Sequence, residues 1–148
     1  MRFYLVDRVT AWKPEKFVEA FKLTSLNEPY WESFDEDKVM PMPLVLESLC
    51  QACAWLIIAS SGGRKRATLL TLESVEVLAE VKPGDKLSIR GDVNVISEEA
   101  ASVSGYVQVG ERMVLRAKDI MCALVEPADL QDLEEFDRLR TLVFSGAV

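Results

Sequence analysis

Residues 44–59 read Leu-Val-Leu-Glu-Ser-Leu-Cys-Gln-Ala-Cys-Ala-Trp-Leu-Ile-Ile-Ala, and this stretch decides the fold. It is apolar nearly all round, which is the pattern of a helix buried in a core rather than one lying on a surface. Pro41 and Pro43 punctuate its entry, where a missing N–H costs least because a first-turn amide has no intrahelical partner. Ser61-Gly62-Gly63 ends it, and Arg64-Lys65-Arg66 follows. Three polar residues interrupt the apolar surface: Glu47, Ser48 and Gln51. Glu47 and Gln51 stand one helical turn apart and share a face.

On either side of this helix the pattern changes to that of strands. Upstream, Phe3 to Val9 and Phe17 to Leu23 read as two strands around a turn at Lys13-Pro14-Glu15. The polar, acidic stretch from Asn27 to Lys38 reads as a loop. Downstream, Thr68 to Leu78, Lys86 to Ile96, Ala101 to Val109 and Met113 to Val125 are rich in β-branched and apolar residues. Lys82-Pro83-Gly84-Asp85, Ser97-Glu98-Glu99 and Gly110-Glu111 separate them. Ala128 to Phe144 places Leu130, Leu133, Phe136 and Leu139 at helical spacing, which predicts an amphipathic helix packed on the body. Two strands, a loop, one buried helix, four strands and a tail helix make an α+β protein, a mostly antiparallel sheet wrapped around one long helix. The expected organisation is a domain over residues 1–126 and a helical tail over 127–148 packed on it.

The chain of 148 residues is 49% apolar and 28% charged, which suits one globular core. Its net charge of -7 argues against nucleic acid or an anionic membrane as the main partner. Met1 leads almost at once into Phe3-Tyr4-Leu5-Val6, so no signal peptide is expected. The longest apolar run, Ala52 to Ala59, is too short to span a bilayer. Cys50, Cys53 and Cys122 are too few and too uneven for a disulfide framework, which points to a reducing, cytoplasmic setting. Cys50 and Cys53 spell Cys-x-x-Cys, but no second pair and no histidine completes a metal site. Buried thiols are the expectation, with no metal and no cofactor.

Four stretches carry a resemblance. They are Phe3-Tyr4-Leu5-Val6-Asp7-Arg8-Val9; Asn27-Glu28-Pro29-Tyr30-Trp31; Val39-Met40-Pro41 continuing to Glu47-Ser48-Leu49-Cys50-Gln51; and Pro83-Gly84-Asp85 with Met121-Cys122-Ala123-Leu124. In order and spacing, over about residues 1–126, they resemble the 3-hydroxyacyl-acyl-carrier-protein dehydratases of fatty acid synthesis, the FabZ and FabA type of the hotdog superfamily. The resemblance implies a hotdog fold, a dimer, and an acyl chain on phosphopantetheine held in a tunnel at the dimer interface. It implies that a loop histidine removes the proton alpha to the thioester. A carboxylate on the central helix of the other subunit helps the 3-hydroxyl leave, and backbone N–H groups near the helix start polarise the thioester.

Carried over position by position, the carboxylate is Glu47 and the histidine falls on Ser33. The chain contains no histidine at all. The glycine after Met-Pro falls on Met42, and the loop becomes Phe34-Asp35-Glu36-Asp37-Lys38. Glu47 therefore reads either as a retained catalytic group or as a structural carboxylate bonded to Gln51 or loop amides. Ser33 reads as a turn serine, with Asp35, Glu36 and Asp37 as alternative carboxylate bases. Pro41, Met42, Gln51 and Trp31 are the expected substrate contacts. Trp55 and Tyr30 are candidates for the tunnel wall or plain core. Arg64, Lys65 and Arg66 form a basic cluster suited to docking an acidic acyl carrier protein.

The resulting expectation is a dehydratase-like protein that binds acyl thioesters and is weak or inactive as a homodimer. In a heterodimer, a histidine-bearing paralogue would supply the missing group. A carboxylate-dependent thioesterase using Glu47 and a non-catalytic acyl-binding subunit are the alternatives.

Overall fold

The computed structural model describes residues 4–34, 36–127 and 133–148. Its strands are β1 (Arg8–Lys13), β2 (Phe17–Leu23), β3 (Glu32–Phe34), β4 (Asp37–Val39), β5 (Arg66–Val77), β6 (Lys86–Ile96), β7 (Ala100–Val109) and β8 (Arg112–Val125). Its helices are α1 (Met42–Ser60), between β4 and β5, and α2 (Leu133–Val143) after β8. Six strands form one antiparallel sheet in the order β1-β2-β6-β7-β8-β5, and β3 pairs only with β4. The sheet curves around α1, giving the expected hotdog arrangement.

The packing follows from the sequence pattern. In β2, Val18, Ala20 and Lys22 are buried while Glu19 and Leu23 are exposed, the two-residue period of a half-buried strand. On α1, Val45, Leu49, Ala52, Cys53 and Leu56 are each at most 2% exposed and meet Val9, Val18, Leu87, Val103 and Leu115 in one core. Bulges supply the curvature. Register shifts fall between Leu69 and Thr71, between Val93 and Val95, and between Val103 and Gly105. Asp119 sits in this irregular zone with φ 49°. There the Asn94 amide donates to Ser104 Oγ (2.8 Å), Asp119 Oδ1 (3.1 Å) and Ser102 Oγ (3.2 Å).

Several expectations need correction. The first strand begins at Arg8, not Phe3, because Leu5 and Val6 are buried without joining the ladder, and Leu5 N–H donates to the Gln51 side chain instead. Apolarity there signals burial, not pairing. The stretch read as a loop before α1 contains the β3–β4 hairpin, whose short acidic strands carry no alternating apolar signal. The run Ala52–Ala59 is only part of α1. The whole helix of 19 residues is long and apolar enough to cross a bilayer, but it is packed against the sheet with eight residues buried. It is therefore a core helix. Phe3, Asp35 and Leu130 lie outside the described residues.

Candidate functional site

α1 presents Glu47, Cys50, Gln51 and Ala54 to a cavity of about 160 Å³. Ala67 and Leu69 of β5, Val103 of β7, and Ile120 and Cys122 of β8 close its other side. One polar pair stands in this mostly apolar lining. The Gln51 side-chain N–H donates to Glu47 Oε1 at 3.2 Å, and Gln51 Oε1 accepts the Leu5 N–H at 2.8 Å. The Leu5 amide fixes the Gln51 orientation, because a backbone N–H requires the oxygen to face it. The amide nitrogen is thereby turned to Glu47, whose carboxylate is an acceptor there. Glu47 is itself exposed, at the rim of the space.

The thiols of the cavity are not nucleophiles near neutral pH. Burial, reinforced by the Glu47 carboxylate and by Cys122, pushes the Cys50 thiol up to about 12. Burial likewise raises the thiols of Cys53 and Cys122. A thiol needs its thiolate form to attack, and these are held protonated. All three cysteines are free. Among the described residues, no group of three His, Cys, Asp or Glu side chains is placed to hold a metal.

The other predicted residues are dispersed. Pro41 is the N-cap of α1, and its carbonyl accepts the N–H groups of Leu44 (2.9 Å) and Val45 (3.3 Å). Pro43 has no N–H, so few first-turn amides remain to polarise a carbonyl. Met42 packs against the core cluster. Trp31 donates its indole N–H to the Ser25 carbonyl at 2.9 Å and rests against Tyr30. Ser33 is exposed on β3 opposite Lys38 and is not among the residues that line the Glu47 cavity. Asp37 pairs with Lys82 at 3.6 Å.

The basic cluster also separates. Arg64 bonds to the Ser61 carbonyl, and Lys65 pairs with Glu126 at 3.1 Å. Arg66 turns inward, 6% exposed, with its guanidinium 3.6 Å above the Phe136 ring. Sequence reasoning missed the small residues Ala54 and Ala67 that leave room for the cavity, and the Leu5 amide that orients Gln51. A buried main-chain donor has no signature in residue type.

A larger groove of about 280 Å³ lies on the face of the sheet turned away from α1, lined by Glu19, Phe21, Lys86, Arg90 and Tyr106 among others. Its cations are already engaged. Arg90 pairs with Glu19 at 2.7 Å and Asp92 at 2.8 Å, and Lys86 lies over the Phe21 ring. The 160 Å³ cavity is the better candidate because its mostly apolar lining meets a carboxylate that no cation neutralises among the described residues.

Residues 1–118 match the family model of the FabA-like domain. A 3-hydroxyacyl-acyl-carrier-protein dehydratase FabZ of Clostridioides difficile is 31% identical over 127 residues, covering 84% of this chain and 88% of that protein. An uncharacterized protein of Pyrococcus horikoshii aligns in structure with a TM-score of 0.66 and 23% identity, over 86% of this chain and 88% of its own. A hypothetical thioesterase from Streptococcus pneumoniae, solved with coenzyme A, aligns with a TM-score of 0.57 and 15% identity, over 82% and 84%. With the sheet wrapped about α1 and Glu47 at the cavity rim, these matches place the chain in the FabA-like, 3-hydroxyacyl-acyl-carrier-protein dehydratase family of hotdog proteins.

Proposed function

We propose that the protein binds acyl-phosphopantetheine thioesters in the α1–β5 cavity and contributes Glu47, one half of a dehydratase's acid–base pair. The observation that carries this reading is the Glu47 carboxylate, oriented by Gln51 at the rim of a largely apolar space. The apolar walls suit an acyl chain. In its protonated form the Glu47 carboxyl can give its proton to a departing 3-hydroxyl, which leaves as water while Glu47 becomes the carboxylate.

The other half is missing. Removing a proton alpha to a thioester needs a base of suitable pKa, and the serine at position 33 offers none near neutral pH. As a homodimer the protein is therefore weak or inactive in dehydration. Paired with a histidine-bearing paralogue, it would form one composite site from that partner's imidazole and its own Glu47. Three free thiols agree with a reducing, cytoplasmic setting. Of the basic cluster, the exposed Arg64 is the residue best placed to meet an acidic carrier protein, since Lys65 is paired with Glu126 and Arg66 is buried.

The test has two arms. The chain alone, its Ser33→His variant, and the chain mixed with dehydratase paralogues of its own genome are assayed for dehydration of a 3-hydroxyacyl thioester. Activity is expected in the mixture and to fall about a hundredfold or more with Glu47→Gln, the scale of a lost general acid. A gain from Ser33→His would show that the rest of the site is intact. A mixture whose activity ignores Glu47→Gln would overturn the composite site. A thioesterase reading also draws on the oriented carboxylate, which can activate water without an imidazole. Glu47-dependent release of free thiol from an acyl thioester would select it over dehydration.

A further inference from the structure

We infer that α2 is a strap that ends the acyl groove, and that Phe136 on it limits the length of acyl chain the groove accepts. This rests on the acyl-thioester reading above. Glu47, Gln51, Ala54 and Ile58 recur along one face of α1. The first three border the cavity. Ile58, the next residue on the same face, is 4% exposed. At that level Trp55 stacks on Phe136, with ring centroids 5.1 Å apart and planes at 27°.

Phe136 touches both elements that wall the cavity, at residues one position beyond its lining. Trp55 directly follows Ala54 of the helix wall. Arg66 directly precedes Ala67 of the β5 wall, and its guanidinium sits 3.6 Å over the Phe136 ring. From there α2 runs past α1 to the opposite edge of the sheet, where the Arg8 side chain donates to the Leu142 carbonyl at 3.0 Å and Phe144 meets both Trp12 (5.6 Å) and Trp55 (6.2 Å) edge-on. Neither the Trp55 nor the Phe136 ring lines the cavity itself; a chain too long for it, leaving past Ala54 along the outer side of α1, would run into them. The cavity of about 160 Å³ compares with the roughly 150 Å³ apolar cavity that accepts benzene, so one protomer offers space for about six carbons. α2 lies outside residues 1–118, the part of the chain that matches the family model.

The test is a chain-length series. Binding of butanoyl-, octanoyl- and dodecanoyl-coenzyme A is measured by titration calorimetry for the full chain and for its Phe136→Ala and Phe136→Leu variants. Circular dichroism verifies that each is folded. The unmodified protein is expected to bind the butanoyl thioester at least as tightly as the dodecanoyl one. Phe136→Ala is expected to bind the dodecanoyl thioester about tenfold more tightly, the yield of burying roughly two more methylenes, with butanoyl binding unchanged. Phe136→Leu keeps an apolar side chain in place and is expected to fall between; it carries the comparison if the alanine variant does not fold. An unmodified protein that already prefers the dodecanoyl chain, or folded variants with its same profile, would overturn the strap's role and leave acyl binding standing. If no thioester binds to any of the three proteins, acyl binding itself falls, and the strap's role with it.

Discussion

At the scale of single residues, two glycines let α1 lie close to the sheet. Gly91 on β6 and Gly105 on β7 face each other across the ladder. A Cβ on Gly91 would stand 2.5 Å from Cys53 Sγ. A Cβ on Gly105 would run into the Arg90 carbonyl oxygen and stand 2.8 Å from Leu49 Cδ1. The Arg90 carbonyl is main chain and cannot swing aside. Gly105→Ala is therefore expected to cost about 1–3 kcal/mol, as overpacking does, and more than Gly91→Ala. Urea denaturation midpoints check the size and the order. Neither glycine was legible as a packing residue, because each lies in a β-branched run whose strand signal it does not disturb. Glu47 and Gln51 were legible, as polar interruptions of an apolar helix one turn apart. The exposed Ser33 was legible only as a departure from a family pattern, since a surface serine has no physical signature.

At the scale of elements, the motifs that carried the family resemblance turn out to shape the frame around the site. Asp7 accepts the Leu23 N–H at 2.6 Å and the Lys22 ammonium at 3.5 Å, and Glu28 accepts the same ammonium at 3.1 Å. Lys22 is 7% exposed, so these carboxylates compensate a desolvated charge. This clamp ties the segment before β1 and the segment before β3 to the end of β2. Asp85 works similarly, accepting the Lys82 N–H at 2.8 Å to close the turn into β6. Asp7→Ala is expected to lower stability by about 1–3 kcal/mol, the cost of leaving a donor without its partner. A chemical-denaturation curve measures it, and a variant as stable as the parent would show that Asp7 does not clamp these segments. Strand prediction succeeded for β2 and β6, where apolar alternation and flanking turns agree. It failed at β1, where burial and ladder pairing are separate properties that both select apolar residues.

At the scale of the whole molecule, the two edges of the sheet are unlike. Along β1, Trp12 N–H donates to the Val148 carbonyl at 3.2 Å and Val148 N–H donates to the Thr10 carbonyl at 3.1 Å, so that edge is covered. Among the described residues β5 is bonded to β8 on one side only; it runs for 12 residues and exposes Leu69 (51%), Leu70 (59%) and Val77 (54%). A long, uncovered, apolar edge invites a second strand. A copy of the same strand, antiparallel across a two-fold axis, would satisfy its backbone groups and cover these side chains. Leu69 also lines the Glu47 cavity, so the same pairing would complete the candidate site. Which strand ends a sheet depends on how distant segments pair, which is why the sequence pattern showed β5 as a strand but not as an edge. The expected outcome is a dimer by sedimentation equilibrium, converted to monomer by Leu70→Lys with Val77→Lys. Each protomer carries a net charge of -7, so dimerisation should strengthen as salt rises from low to physiological ionic strength. If the pairing also completes the cavity, the monomeric variant should lose acyl-thioester binding although Glu47 and Gln51 are untouched. A monomeric parent would detach the β5 edge from the site. A monomeric variant with full binding would place the whole acyl groove within one chain.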